Sequence, residues 1–492
     1  MHLSRPSTLT RLGLLALILA AAAGLRAYQI GRASFWYDEV VTMRLARTAG
    51  PTGLLTLLSA IDATRAPLHP LLLQPWVALF GTSEAAGRSF SVVCGVLTVA
   101  LIYRLGRRLF DDEATGLWAA ALAAISPALV IYSREARMYA WLVVVTCAAW
   151  IALLGLRDGP TRGRLAWFAT TLVALGYSHP LGLLMACALG LASLLQRRAL
   201  GLSWVRWAMP FLVASAALTP WIPRYFDHAP ESTVGRLPVK FLLGMPIGYL
   251  GGSFASLAAF AAVIGFGLIV VRRDENGRRD IRLENPLAAT LLLVWLTVPP
   301  TILYAYSRLS HPIFGPERYT LFVAPAYLIL LARGIARLTP GSRRVVAALT
   351  FVLVALSLPP RVYAPDLKAD WRGAAVLLRR VDPGGTEPVD VAATDPAHNV
   401  EVETARYYLE PRRPVVALGK ESISRDTLEV SSGISPGSIW YAVGLRGGRP
   451  VVDLPGRVVR DGIVTNLPGL RLIRVGQAPP PEEGWPVAPP LP

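Results

Sequence analysis

Residues 138–156 read MYAWLVVVTCAAWIALLGL, nineteen consecutive positions without a charged side chain. As an α-helix this stretch is about 28 Å long, close to the ~30 Å hydrocarbon core of a bilayer. Ten more apolar runs of similar character flank it, near 10–29, 87–105, 114–132, 165–179, 180–196, 207–223, 251–271, 286–306, 319–338 and 345–360. Of the 492 residues, 53% are apolar and only 16% are charged. A soluble domain carries roughly 25% charged residues. With a mean hydropathy of +0.45, the chain is neither an ordinary soluble enzyme nor, over most of its length, disordered. The expected fold is mainly α and polytopic, with about 11 transmembrane helices.

Charge divides the chain. Residues 1–360 hold 33 basic and 16 acidic side chains, whereas residues 361–492 hold 16 of each. The whole excess of +17 therefore accompanies the apolar runs. No basic soluble domain remains to bind nucleic acid, so the expected partner is the lipid bilayer. Alternation from a cytoplasmic N-terminus places the Arg-dense segments, such as Arg104, Arg107 and Arg108 or Arg333, Arg337, Arg343 and Arg344, on the inside. The acidic run Asp111-Asp112-Glu113 also falls there and reads as a solvated turn. Residues 361–477 then lie outside the cytoplasm.

That outer part alternates helical and strand patterns. Asp370–Val381 reads as helix, and Val389–Thr394, Val415–Leu418, Ile439–Val443 and Leu470–Val475 read as strands, which makes a small α/β domain. Residues 478–492 form a Pro-rich tail expected to be disordered. The first outer loop, 30–86, contains an amphipathic stretch from Val40 to Arg47 and an apolar one from Pro70 to Phe80. The second is too short to span, so interfacial helices are expected in this loop. Cys94, Cys147 and Cys187 lie in apolar runs without metal-ligand spacing and read as core residues. Gly433-Ile434-Ser435-Pro436-Gly437 matches G-x-S-x-G, but a strand pattern follows it where a nucleophile elbow needs a helix.

Three outer segments carry possible chemistry. Phe35-Trp36-Tyr37-Asp38-Glu39 sets two adjacent carboxylates at the membrane surface, a costly placement unless they are solvated, paired or used. They suit a general base, Asp38, beside a second acid, Glu39, that positions a substrate hydroxyl or a divalent cation. They equally suit a helix start with favourable first-turn acids. Tyr132 to Tyr139 carries Arg134, Glu135 and Arg137, which can clamp an anionic head group or pair among themselves. Ser307 to Tyr319 carries His311 and Arg318, with Arg318 able to hold a phosphate or simply to snorkel. Lys240 and Arg236 are weaker cationic candidates. His69, between two prolines, and His179, after the fifth run, are candidates for lining a site. No residue is assigned as a metal ligand.

Taken together, these segments resemble membrane glycosyltransferases of the GT-C class. The resemblance is to protein O-mannosyltransferases and lipid A aminoarabinose transferases, a glycosyltransferase family 39-like group with many bacterial relatives. Trp36-Tyr37-Asp38-Glu39, Ala66-Pro67-Leu68-His69-Pro70-Leu71-Leu72-Leu73, Ser83 to Arg88, Ser126-Pro127 through Tyr139, and Pro312 to Tyr319 carry it. The resemblance implies a sugar donor on a polyprenyl phosphate and an extracytoplasmic hydroxyl acceptor. It further implies Asp38 as general base supported by Glu39, Arg134, Arg137, Arg318 and Lys240 at the donor phosphate, and Glu135, His69, Tyr139, His311 and Tyr319 lining the substrate. Attack on the anomeric carbon in one displacement implies inversion. The implied location is a bacterial inner membrane. Two departures stand out: His69 occupies a position where the family often has Tyr, and Glu135 lies earlier than the acid of the aminoarabinose transferases. A transporter or flippase of polyprenyl-linked precursors would also use Arg clusters, although the chain shows no internal repeat of the kind transporters carry.

Overall fold

The computed structural model describes residues 8–61, 66–226, 236–273, 279–313, 317–364, 368–381, 389–392, 400–410, 412–418, 439–446, 449–450, 463–468 and 470–475. The expected G-x-S-x-G turn and the Pro-rich tail lie outside the described residues. In chain order the helices are α1 (Thr8–Ala27), α2 (Tyr37–Ala46), α3 (Gly50–Ile61), α4 (Leu68–Phe80), α5 (Glu84–Phe110), α6 (Glu113–Ile125), α7 (Pro127–Tyr132), α8 (Tyr139–Gly155), α9 (Arg162–Ser178), α10 (Pro180–Leu195), α11 (Trp204–Leu218), α12 (Ile222–Phe226), α13 (Val239–Leu250), α14 (Phe254–Leu268), α15 (Pro286–Leu309), α16 (Ala324–Arg337), α17 (Pro340–Val362), α18 (Trp371–Val381) and α19 (Val400–Leu409).

The protein is a mainly helical, multi-pass membrane protein. Among the described residues, five helices are long and apolar enough to cross a bilayer: α1, α5, α8 with its 3-10 extension to Asp158, α15 and α17. The pair α13 and α14 passes the same test together but bends by 81° at the break. The other expected spans form shorter helices. The run 114–132 is interrupted where Ser126 ends α6 and caps α7, with Pro127 at the first helical position. The run 319–338 opens in 3-10 turns and becomes α-helical only at Ala324. The run 251–271 stops at Leu268, because Ile269–Arg273 forms β1, a hairpin strand with β2 (Arg279–Leu283).

Burial sorts these helices into core and periphery. Within its span window α8 is 78% buried, whereas α1 is 6% and α17 is 17% buried. The outward residues of α17 include Val345, Leu349, Phe351, Val352 and Leu356, and those of α11 include Trp204, Val205 and Leu212. Apolar faces of that extent are stable against lipid and not against water. Inside, Trp150 of α8 stacks on Trp295 of α15 at 4.8 Å between ring centres. Both indole N–H groups are satisfied, Trp150 by Met185 Sδ at 3.3 Å and Trp295 by the Phe322 carbonyl at 2.9 Å, as buried Trp requires.

Helices α14 and α16 touch backbone to backbone. A Cβ built at Gly267 would sit 2.6 Å from the Gly334 nitrogen, and one at Gly334 would overlap the Val263 carbonyl. Small residues at such crossings permit the close van der Waals contact that associates helices in lipid. Gly334→Ala is therefore expected to force the pair apart and cost about 1–3 kcal/mol. Thermal denaturation in detergent checks this, and an unchanged midpoint would show that the crossing has room to spare.

One end of the bundle is fastened by ion pairs. Asp112 caps α6 by accepting from the Ala114 and Thr115 amides and also binds Arg333 at 3.0 Å. Arg333 in turn meets Glu284. The acidic run 111–113 thus contributes to helix packing as well as to a turn.

The chain divides into two compact units, one of 1–30 and 45–362, the other of 31–44 and 363–492. In the second, β4 (Val415–Leu418), β3 (Val389–Ala392), β5 (Ile439–Arg446), β8 (Leu470–Val475) and β7 (Ile463–Leu467) form one sheet in that order. Strand β3 runs parallel to both β4 and β5, and the β5–β8 and β8–β7 pairs are antiparallel. The short strand β6 (Arg449–Pro450) pairs with β5. Trp371, Ala374 and Leu378 of α18 and Val402 and Ala405 of α19 share a core with Val389, Val391, Ala442 and Leu472.

Segment 31–44, part of the first outer loop by sequence, packs with this unit. Ser34 Oγ donates to Asp370 Oδ1 at 2.9 Å, and the Phe35 amide donates to the Tyr408 hydroxyl at 2.7 Å. Arg44 reaches Glu403 at 2.7 Å. Burial raises the Glu403 carboxyl, but hydrogen bonds from Arg44 and Arg406 outweigh it and hold the group below the ordinary carboxylate range. The helix expected from Val40 to Arg47 is α2, shifted to begin at Tyr37; the one expected from Pro70 to Phe80 is α4; and α3 stands between them.

Candidate functional site

Each unit carries one group of residues with chemistry. In the smaller unit, α2 starts after Trp36, which places Asp38 and Glu39 at its second and third positions. Glu39 is fully buried. Its Oε2 accepts from Lys368 Nζ at 2.9 Å and from the Trp36 amide at 3.4 Å. The second bond is the reach-back half of a capping box. Glu39 is thus a positioning residue within its unit, bound to a lysine 329 positions away. The Lys368 ammonium already faces this carboxylate, so a divalent cation at the same oxygen would meet like charge. Asp38, one residue earlier and about 100° around the helix axis, is half-buried, and its backbone carbonyl accepts from the Thr42 hydroxyl at 2.9 Å.

In the membrane unit the second group gathers at the end of the bundle where α1, α6 and α9 finish and α5, α8 and α10 begin. The 133–139 turn supplies most of it. Arg137 is only 5% exposed, and its guanidinium lies 6.0 Å from the Tyr139 ring centre. Tyr139 packs edge-on against Tyr132 at 5.5 Å and lies 6.2 Å from the His179 ring. His69, in the first turn of α4, packs edge-on against Phe90 at 5.6 Å. The charges of Glu135, Glu317 and Arg318 all reach the Tyr132 hydroxyl. Arg318 donates to the Tyr319 hydroxyl at 3.1 Å.

Electrostatics ties the group together. His69 and His179 lie outside the long spans, one in a short helix and one in a turn, and both are buried. Burial, and then the charge of Arg137, push His69 down to about 3. Burial, then Arg137 and Arg318, push His179 down to about 3. Both rings are therefore neutral at physiological pH, so the positive charge here resides on guanidinium groups. Glu317 is engaged elsewhere, by Arg361 at 2.6 Å.

The structure brings His69, Glu135, Arg137, Tyr139, Arg318 and Tyr319 into this neighbourhood. Arg134 has a different role: its Nη1 donates to the carbonyls of Arg26 and Tyr28, at 2.9 and 2.5 Å, and so caps the C-terminus of α1. His311 and Lys240 are exposed. His311 bonds Ser310 at 2.8 Å, and the Lys240 ammonium lies 5.7 Å from the Phe241 ring centre.

Two contributors, the Glu317–Arg361 pair and Arg26, escaped the sequence reading, and His179 was a candidate only for lining a site. The Glu317–Arg361 pair joins distant segments and has no local signature. Arg26 lies inside an apolar run. His179 was visible only as a lone histidine, yet the His-Pro pair signals an N-cap followed by proline at the first helical position. Among the described residues, no group of three or more His, Cys, Asp or Glu side chains gathers that would hold a metal ion.

Comparison with known proteins bears on this arrangement. A family model described as dolichyl-phosphate-mannose-protein mannosyltransferase matches residues 64–225. The fold is similar to that of ArnT from Cupriavidus metallidurans in the apo state, with a TM-score of 0.59 and 14% identity over 96% of this chain and 100% of that one. It is similar also to ArnT bound to undecaprenyl phosphate, with a TM-score of 0.57 and 14% identity over 95% of this chain and 99% of that one. An oligosaccharyltransferase from Archaeoglobus fulgidus matches with a TM-score of 0.51 and 12% identity, over 84% of this chain and 65% of that chain. No curated protein matches at the sequence level. The chain thus has the GT-C membrane fold and resembles the O-mannosyltransferases and ArnT.

Proposed function

We propose that this protein is an inverting glycosyltransferase that moves a sugar from a polyprenyl-phosphate donor to an extracytoplasmic hydroxyl on an envelope glycan, glycolipid or protein. What supports this reading is the buried Arg137 beside Tyr139 and the buried His179 at one end of the bundle, with Arg318, 181 positions further along the chain, within electrostatic reach of the same histidine. The bundle shares its fold with a protein solved with undecaprenyl phosphate bound.

The chemistry follows from charge. The acceptor oxygen attacks the anomeric carbon from the face opposite the phosphate. The anomeric C–O bond breaks, and its electron pair leaves on the polyprenyl phosphate. Going from phosphodiester to phosphomonoester adds about one negative charge, which must be met as it develops. Arg137 and Arg318 meet it, and Arg137 is desolvated enough to act strongly. Asp38 takes the acceptor proton. Glu39, through Lys368 and the Trp36 amide, holds the start of α2 in place. The same reading places the chain in a bacterial inner membrane, with the N-terminus in the cytoplasm and the C-terminal unit outside.

The experiment is sugar transfer by purified protein from polyprenyl-phosphate sugars. Arg137→Ala and Arg318→Ala are each expected to lower kcat/KM for donor by about 10²-fold. Lys240→Ala, at an exposed position, is expected to leave it unchanged. Equal activity of both arginine variants and wild type would overturn the phosphate assignment.

A further inference from the structure

His179 caps α10: its Nδ1 accepts the Leu181 amide at 3.0 Å. A neutral imidazole has one acceptor and one donor nitrogen. Because Nδ1 accepts, the proton must sit on Nε2. This ring is only 4% exposed, and among the described residues its Nε2 has no hydrogen-bond partner. A buried donor left unmade costs about 1–3 kcal/mol, so it marks a place where another group belongs.

The surroundings say which group. The ring lies 6.2 Å from Tyr139, whose face Arg137 approaches at 6.0 Å. The charges of both Arg137 and Arg318 reach His179. Two guanidinium groups would repel a cation, and an apolar ligand would leave Nε2–H unsatisfied. An anion with several acceptor oxygens suits both the Nε2–H donor and the positive charge around it.

We infer that His179 Nε2–H is a third ligand of the donor phosphate, a neutral donor that binds one phosphate oxygen beside Arg137 and Arg318. This rests on the glycosyltransferase reading and adds a residue to its donor site. A neutral donor has a distinct use there. It binds the oxygen without adding positive charge, so the lipid phosphate can be released after transfer.

The cap and the donor can be separated by substitution. Asparagine is a strong N-cap residue, so His179→Asn keeps an acceptor for the Leu181 amide while removing the ring donor. His179→Ala removes both. The measurement is binding of undecaprenyl phosphate to the full-length protein in detergent, with inorganic phosphate as competitor, alongside donor KM, kcat and melting temperature. His179→Asn is expected to melt like wild type yet bind undecaprenyl phosphate about 10-fold more weakly. Its loss should appear in donor KM and in competition by inorganic phosphate, with acceptor KM unmoved. His179→Ala should lose both binding and stability. Wild-type affinity in a well-folded His179→Asn protein would overturn this inference and leave the transferase reading intact. Failure of the wild-type protein to bind undecaprenyl phosphate at all would overturn both.

Discussion

Asp38→Asn is expected to lower sugar transfer by about 10²–10⁴-fold, the range contributed by a positioned general base, while donor binding and folding persist. The substitution is nearly isosteric. It leaves untouched the buried contacts of Glu39 with Lys368 and the Trp36 amide at the helix start. What is lost is a group able to accept the acceptor's proton. The rate of transfer at saturating donor checks this, with undecaprenyl phosphate affinity as the control. A rate within a few-fold of wild type would remove Asp38 as the base. A Glu39→Gln comparison separates the roles, since it weakens the contact to Lys368 and retains Asp38.

The largest stability effect is expected at Arg26. This side chain is fully buried at the end of α1, and it donates to the carbonyls of Ala22, Ala123 and Ala124 at 3.1, 3.1 and 2.9 Å. The last two belong to the final turn of α6, whose carbonyls have no intrahelical donor. Arg134 does the same for α1. Arg26 on α1 thus caps α6 from a fully buried position, and Arg134 in the turn after α7 caps α1. Arg26→Leu fills the volume but strands those carbonyls, a loss of about 3–5 kcal/mol. Thermal unfolding in detergent should show a drop of many degrees, with Arg26→Lys in between because it has fewer donors and no planar fork. An Arg26→Leu protein that melts with wild type would show that these carbonyls are satisfied by other means.

How far the sequence could be read depended on where the forcing physics was local. The run 138–156 became α8 because a bilayer demands a self-satisfied helix from any apolar run of that length. The strands at Val389, Val415, Ile439 and Leu470 were legible as β-branched runs bounded by turn residues. Helix α19 was not, because Val400 to Leu409 mixes two glutamates, an arginine and two tyrosines over a length that fits several states. The pairing of Ile269–Arg273 with Arg279–Leu283 was hidden behind an Arg-rich composition that reads as a loop between two apolar runs.

Segment-level reading of the site was easier than residue-level reading. Arg134 and Arg137 look alike in sequence, yet one fastens α1 through backbone carbonyls more than 100 positions away and the other lies buried beside two histidines. Glu39 and Lys368 are separated by 329 positions, and nothing local to either predicts the pair. The assignment of 31–44 to the C-terminal unit is of the same kind, since it rests on contacts such as Ser34 with Asp370.

The most direct test compares lipid-linked sugars and envelope glycans in cells carrying the wild-type protein and cells carrying Asp38→Asn. Accumulation of one polyprenyl-phosphate sugar together with loss of one glycan residue is expected, and it would identify donor and acceptor in a single experiment. An unchanged glycan profile with a well-expressed Asp38→Asn protein would contradict transfer chemistry at this residue and favour transport of the lipid-linked precursor.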